Sequence, residues 1–379
     1  MDRIPPPSRS SGLATASLVC GILSLCAWVL GFVAVVFGHV ALSKIKKDPV
    51  LSGGGMAIAG LIMGYIGVTF AVVYGIILAI GFRIEFAERK SAQELFLFEE
   101  IALPEFPDLG EGKEVGTSGV IQYFLETKGA EPGQSMTFRV YVPPGQHAAA
   151  TLPCVIVAPA GSDLLSGLAL DDSDYHDETL PYAEAGMVVV NYSLDGVVLG
   201  ESDEEVTKSY EEFRFAGAGL VNARNAIELA RRNLPMVDQG NIFSAGHSSA
   251  GTLSLLNAAH FPELAGAASY APAIDLRNHF ADLLGNRFVD LVYPELWNFT
   301  KKFSPGTHAS KVEVPVFLFY ARDDSMVDLE EGRTFRFAVE DAGGEVTLST
   351  VPSGGHYQSM IDRGIPEAIK WIQGRDSAQ

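Results

Sequence analysis

Asn241-Ile-Phe-Ser-Ala-Gly-His-Ser-Ser-Ala-Gly-Thr-Leu-Ser-Leu-Leu256 passes from an apolar, strand-like start through a cluster of the smallest side chains into a helical stretch. Where a strand turns this abruptly into a helix, the corner residue is held in a strained conformation that lifts its side chain clear of the backbone. The chain folds back on itself there, so the residues two before and two after the corner must be small. Ser248 meets that condition, with Gly246 and Ala250 at those offsets. Ser249 is the rival, but it would put the bulky His247 two places back. Ser248 is therefore the residue expected at the corner.

Around this corner, apolar runs at 137–142, 154–158, 187–192, 241–245, 316–320 and 345–351 alternate with helical stretches at 209–233, 249–259, 330–342 and 366–373. Such alternation predicts a mostly parallel sheet with helices over it.

A serine hydroxyl is almost fully protonated at neutral pH, so it needs a base within hydrogen-bond reach and a carboxylate to fix that base's tautomer. The corner at 246–250 resembles the nucleophile elbow of the α/β-hydrolases, a resemblance that implies Ser248 rather than Ser249 as the nucleophile, with serine, acid and histidine following in that chain order. The loop Ala321-Arg-Asp-Asp-Ser-Met-Val327, after the run 314–320, is similar to the family's Gly-x-x-Asp-x-x-Val pattern. That pattern selects Asp324 as the acid and leaves Asp323 second. Of the eight histidines, only His356 lies in a glycine-flanked loop between the last strand and the final helix. It is the expected base.

The tetrahedral intermediate also needs two preorganised donors for its oxyanion. The N–H of Ser249, at the start of the helix after the nucleophile, is one. The resemblance places the second in the loop after 154–158, where many relatives carry His-Gly-Gly. This chain reads Ala158-Pro-Ala-Gly-Ser162, which leaves Gly161 or Ser162 to supply the N–H.

From Phe303-Ser-Pro through Val314-Pro-Val to the end, the chain is similar to the prolyl oligopeptidase and dienelactone hydrolase branch, and the likeness extends over about 120–374. Without preceding β-propeller blades, ester hydrolysis is favoured over peptidase activity. Acyl transfer and a non-catalytic binding module with the same fold are the alternatives. This chemistry implies a small acyl substrate and needs no cofactor and no metal. A cap insertion is expected near 276–303, where Phe280, Phe288, Tyr293, Trp297 and Phe299 form either an acyl pocket or plain core. The acidic loop Asp171-Asp-Ser-Asp-Tyr-His-Asp-Glu178 is read as a solvated surface loop rather than a Ca²⁺ site.

The first 90 residues are a different material. No Asp, Glu, Lys or Arg occurs between Arg9 and Lys44, nor between Asp48 and Arg83. A helix crossing a hydrocarbon core of ~30 Å needs about 20 apolar residues, so 13–37 and 56–82 are each long enough for a span, forming a transmembrane helical hairpin. The first run also exceeds the apolar core of a cleaved signal peptide. Gly21, Ala27, Gly31 and Gly60, Gly64, Gly67 would let the two backbones approach closely. The segments Gly38-His-Val-Ala-Leu-Ser-Lys-Ile45 and Gly55-Met-Ala-Ile-Ala-Gly-Leu-Ile-Met-Gly-Tyr65 resemble a two-helix bacterial membrane domain of unknown function. That resemblance implies an anchor in the lipid bilayer of a bacterial inner membrane, and His39 there reads as structural. Residues 91–119, charged and then rich in Pro and Gly, read as stem and linker before the 120–374 domain.

Charge divides along the same line. Residues 1–82 hold five basic and two acidic side chains of the chain's 27 and 46, leaving 22 and 44 for the rest. A domain with a net charge of −22 does not bind nucleic acid through its phosphates. With an even number of spans both flanks share a side, and six positive groups there (Arg3, Arg9, Arg83, Arg89, Lys90 and the α-amino group) outnumber Lys44, Lys46 and Lys47 in the connector. The hydrolase domain is thus expected to face the cytoplasm. Cys20, Cys26 and Cys154 read as small buried hydrophobes rather than a disulfide framework.

Overall fold

The computed structural model describes residues 9–24, 27–98, 101–170, 176–286 and 288–376. Cys26 and residues 171–175 of the acidic loop lie outside the described residues. The chain forms two compact units, Met1–Lys90 and Ser91–Gln379.

In the first unit, helices α1 (Gly12–Leu23), α2 (Val29–Lys47) and α3 (Gly54–Ala92) follow one another. The run 13–37 is therefore not one helix. Ser24 ends α1, its hydroxyl donating to the Gly21 carbonyl at 2.6 Å and so competing with the helical ladder. At 12 residues α1 is only ~18 Å long, whereas α2 and the Gly54–Arg83 part of α3, with mean hydropathies of 1.6 and 2.2, are long and apolar enough to cross a membrane. The expected glycines do sit at close approaches. A Cβ added at Gly31 would stand 2.9 Å from the Gly64 carbonyl oxygen, and one at Gly21 2.9 Å from that of Gly60. Ser17 donates to the Ala34 carbonyl at 2.8 Å, joining α1 to α2.

The flanks of this unit are arranged differently from the expectation of a two-span hairpin. Arg9 and Ser10 pair in parallel with Leu51 and Ser52, and the Arg9 N–H donates to the Val50 carbonyl at 3.0 Å. The N-terminal flank thus lies beside the connector from which α3 departs, because α1 is an additional segment that leads away from the connector before α2 returns.

The second unit is built on nine strands: β1 Lys113–Glu114, β2 Ile121–Glu126, β3 Thr137–Val142, β4 Leu152–Val157, β5 Val188–Tyr192, β6 Val237–His247, β7 Gly266–Tyr270, β8 Val316–Ala321 and β9 Val346–Val351. Their order across the sheet is β9-β8-β7-β6-β4-β5-β3-β2-β1. The six strands from β9 to β5 run parallel, and β3, β2 and β1 are added antiparallel. Parallel strands covered on both faces are apolar throughout, as in Cys154-Val-Ile-Val157. Cys154 and Ile156 face one core and Val155 and Val157 the other. Complete burial pushes the Cys154 thiol far above its ordinary pKa, so it stays a neutral packing group.

After α4 (Leu180–Glu184), the helical stretch at 209–233 is two helices, α5 (Asp203–Phe215) and α6 (Leu220–Asn233). Between them Gly217, Ala218 and Gly219 all take left-handed backbone angles (φ 65°, 55° and 91°). At Gly219 an added Cβ would meet Leu253 at 2.8 Å, so the break also permits close packing on the helix that follows Ser248. Residues 91–112 are not a free linker. Phe96, Phe98, Phe106 and Leu109 pack on the main core, and Arg224 donates to the carbonyls of Phe98, Ile101 and Ala102.

One buried pair makes this fold pH-sensitive. His260 and His308 lie with ring centroids 5.1 Å apart, and both are nearly inaccessible. Burial pushes the His260 pKa down to about 4, and the His308 pKa also falls through burial. Both therefore fold as neutral rings. The stabilisation this confers is complete above the ordinary histidine pKa of about 6.5 and is lost as the pH falls toward 4. For the full chain in detergent, wild type is expected to lose on the order of 2 kcal/mol more stability than His260→Gln between pH 7 and pH 4.5, read from thermal unfolding. Parallel pH profiles would refute this.

Candidate active site

The place of the site follows from the strand order. The chain leaves β4 toward one side of the sheet and β6 toward the other, although β4 and β6 are neighbours. The loops after these two strands diverge and open a crevice at their carboxyl ends. Residues 158–162 follow β4, and Ser248 follows β6.

Ser248 has φ 54° and ψ −118°, a conformation strained for any residue with a side chain. It is held there by its N–H, which donates to the Tyr270 carbonyl at 2.8 Å, and by its own carbonyl, which accepts the first bond of helix α7 (Ser249–His260) from Thr252. The small-residue rule is visible in the contacts: a Cβ on Gly246 would lie 2.8 Å from that of Ala250.

Asp324 stands in the loop after β8, its side chain only 1% exposed. Oδ1 accepts the N–H groups of Met326 and Val327 at 2.8 and 3.3 Å, and Oδ2 lies 2.8 Å from His356 Nδ1. A carboxylate in that position fixes the imidazole proton on Nδ1 and leaves the Nε2 lone pair able to accept a proton. His356 stacks against His247, the residue before Ser248, with ring centroids 4.7 Å apart. Among the described residues the Ser248 hydroxyl makes no hydrogen bond, as is common before substrate binds. The fold thus joins Asp324 and His356 directly and sets them beside the elbow.

Three further residues complete this arrangement. Asp323 accepts the N–H groups of Gly354 at 3.1 Å and Gly355 at 2.9 Å, and these bonds lower its carboxyl pKa. Gly354 and Gly355 have φ of 125° and 63°, angles that leave a glycine-only backbone turned toward the acid loop. Asp323 therefore ties the loop that carries His356 to the loop that carries Asp324. On the opposite side, His247 Nε2 donates to the His356 carbonyl at 2.9 Å, and its Nδ1 lies 3.6 Å from Glu178. Sequence reasoning passed over Asp323, His247 and Glu178 as acting members. The Asp-Asp doublet after a strand, matched by Gly-Gly before the histidine, is the signal for Asp323, whereas nothing local points to Glu178.

The oxyanion donors differ from expectation. The Ser249 N–H lies in the first turn of α7, where backbone donors have no helical partner. Gly161 and Ser162, however, do not offer free N–H groups. Both donate to Ser249 Oγ, each at 3.1 Å. Beside Ser249 is a small, mostly apolar cavity of about 20 Å³, lined by Leu164, Leu194, Leu253, Leu276 and Phe303 among others. The five cap aromatics do not line it. Phe299 is core, packed on Tyr210 and Phe303, while Phe288 and Trp297 are 63% and 53% exposed. The reason is tertiary: the helix Asp203–Phe215 takes the inner face of the cap segment. Among the described residues no three His, Cys, Asp or Glu side chains converge to hold a metal ion.

Residues 220–373 match the prolyl oligopeptidase family, and residues 13–74 match a domain of unknown function (DUF4190). No curated protein matches the chain. Among solved structures it is similar to an acetyl xylan esterase from Paenibacillus sp. R4 (15% identity, TM-score 0.53, covering 77% of this chain and 93% of the esterase). It is also similar to acetyl xylan esterase 1 from Thermoanaerobacterium sp. (19%, 0.51, 76% and 92%). The dipeptidyl peptidase 4 of Porphyromonas gingivalis superposes over 67% of this chain but only 35% of its own length (16%, 0.51). At such identities the likeness is one of fold. Behind a segment that matches a domain of unknown function, the second unit has the α/β-hydrolase fold, and its residues 220–373 match the prolyl oligopeptidase family.

Proposed function

We propose that this protein is a membrane-anchored serine hydrolase that cleaves small carboxylic esters. Ser248 attacks the acyl carbon, His356 first takes the serine proton and then gives it to the leaving group, Asp324 orients His356, and water releases the acyl-enzyme. The observation that carries this reading is the buried Asp324 to His356 hydrogen bond of 2.8 Å, set against the residue preceding a serine with a strained backbone. The test is labelling with a fluorophosphonate probe. Wild type is expected to label and Ser248→Ala and His356→Ala are not. An unlabelled wild type sinks the reading, and labelling that survives Ser248→Ala moves the nucleophile elsewhere.

The narrow cavity beside Ser249 supports a short acyl group, since about 20 Å³ of free space admits little more than a methyl without rearrangement. Activity on p-nitrophenyl esters is expected to fall at least about tenfold in kcat/KM between acetate and octanoate. Equal rates along the series would remove the cavity from the argument. Peptidase action is the second reading, favoured by the family match over 220–373.

Helices α2 and α3 are proposed to anchor the chain in the membrane. Because residues 9–10 pair with 51–52, Arg9 belongs with Lys44, Lys46 and Lys47 on the connector side, and Arg3 precedes it by six residues. Past the apolar part of α3 come Arg83, Arg89 and Lys90. Five against three favours a cytoplasmic connector, and a hydrolase domain that emerges from α3 on the opposite, extracytoplasmic face. Protease added to intact spheroplasts is expected to digest the hydrolase domain. Digestion only in inverted vesicles would restore the cytoplasmic orientation.

A further inference from the structure

The reading above uses the backbone of Ser249 but not its side chain. The residue is 7% exposed, and its Oγ receives two convergent backbone N–H groups, from Gly161 and Ser162. A hydroxyl that accepts two bonds has used both lone pairs and keeps one proton to give. Among the described residues nothing accepts that proton, whereas the neighbouring Ser162 hydroxyl both donates, to the Ser166 carbonyl, and accepts, from the Leu164 N–H. A buried donor left without an acceptor costs stability and asks for an explanation.

The surroundings say what the acceptor is. The carbonyl oxygen of an acyl group on Ser248 is received between the first turn of α7 and the loop after β4. In this chain the N–H groups of Gly161 and Ser162 are both taken by Ser249 Oγ. The two N–H groups expected to hold the oxyanion therefore act on it through that hydroxyl, which also borders the apolar cavity suited to the acyl group.

We propose that the Ser249 hydroxyl is a direct oxyanion donor, with Gly161 and Ser162 acting through it. This rests on the serine-hydrolase reading and specifies how its oxyanion is held. As Ser248 Oγ bonds to the acyl carbon, its proton passes to His356 Nε2 and the carbonyl π pair moves onto the carbonyl oxygen. Ser249 then gives that oxygen two hydrogen bonds, one from N–H and one from O–H, and keeps both protons when the pair returns and the leaving group departs with the proton from His356. Two N–H groups donating into Oγ polarise its O–H bond, so it is a stronger donor than an isolated serine.

The test compares full-length wild type, Ser249→Ala and Ser249→Thr in detergent. It reads kcat and KM on p-nitrophenyl acetate, and affinity for a trifluoromethyl ketone, which adds to Ser248 and carries the same oxyanion. Ser249→Ala is expected to lose about 100-fold in kcat with KM changed only a few-fold, and to bind the ketone weaker by a similar factor. Ser249→Thr, which keeps the hydroxyl, is expected to recover to within about tenfold of wild type. A Ser249→Ala enzyme as fast as wild type, or faster, overturns the proposal, because the hydroxyl then merely masks the Gly161 and Ser162 donors. Ser249→Thr as slow as Ser249→Ala overturns it in favour of packing. If Ser249→Ala does not fold, Ser249→Cys, with its weak donor, is expected to be slowed, and a wild-type rate there overturns the proposal. A wild-type chain that neither hydrolyses esters nor labels at Ser248 refutes the hydrolase reading itself, whereas normal labelling with an unaffected Ser249→Ala refutes only this inference.

Discussion

Replacing Ser248 or His356 by alanine is expected to lower kcat for ester hydrolysis by about 10⁵–10⁶-fold, and the double variant is expected to be no slower than either single one. The reason is that in the proposed mechanism nucleophile and base act as one unit. Without His356 the Ser248 proton has nowhere to go, and without Ser248 the base has only water to activate. What remains is the catalysis supplied by binding and by the first turn of α7, which neither change touches. The backbone of Ser248 is held by the Tyr270 carbonyl and by the helical bond from Thr252, so Ser248→Ala keeps the elbow and relieves none of its constraints. Thermal unfolding of the variant is expected to match that of wild type within a few degrees. Additive losses, with the double variant slower by the product of the two, would mean that Ser248 and His356 serve separate steps.

The second large effect separates two adjacent aspartates. Asp324→Asn is expected to cost about 10⁴-fold in kcat. The asparagine keeps the size, but it presents either an amide N–H toward His356 Nδ1 or a carbonyl oxygen there and an N–H toward the Met326 and Val327 donors. The first favours the tautomer with the proton on Nε2, where it blocks proton transfer from Ser248. The second sets two donors against each other in a buried site. In both cases the imidazolium formed during attack loses its counter-charge. Asp323→Asn keeps an acceptor for only one of the Gly354 and Gly355 N–H groups and leaves the Asp324 to His356 bond in place. A loss of about tenfold is expected, from a looser histidine loop rather than a wrong tautomer. Equal losses for the two variants, measured as kcat at pH 8, would show that the acid had been assigned to the wrong member of the pair.

The elements that bring these groups together were legible to different degrees. The elbow was legible because its constraint is local: a strand that reverses into a helix needs small residues two places either side, and Gly246 and Ala250 are there to be read. The loop ends carrying Asp324 and His356 were legible as positions after apolar strands, a pattern that the parallel sheet bears out. The break at 216–219 was written in Gly-Ala-Gly and hidden by the apolar periodicity on either side of it. The cap aromatics illustrate the opposite case. Phe299 and Trp297 are two residues apart and equally apolar, yet one is core and the other largely exposed, because burial depends on which face meets the helix Asp203–Phe215.

By itself the sequence determined what neighbouring residues can settle: the strand and helix periodicity, the elbow at Ser248, and the division between an apolar, slightly basic front and an acidic domain. Tertiary structure decided whatever depends on partners far apart along the chain. Pairing of residues 9–10 with 51–52 moved the N-terminal charges to the connector side, and convergence of Gly161 and Ser162 on Ser249 Oγ occupied the two N–H groups that the sequence offered for an oxyanion. A backbone N–H carries no sign in the sequence of where its hydrogen bond goes. That choice is made only when the fold brings an acceptor within reach.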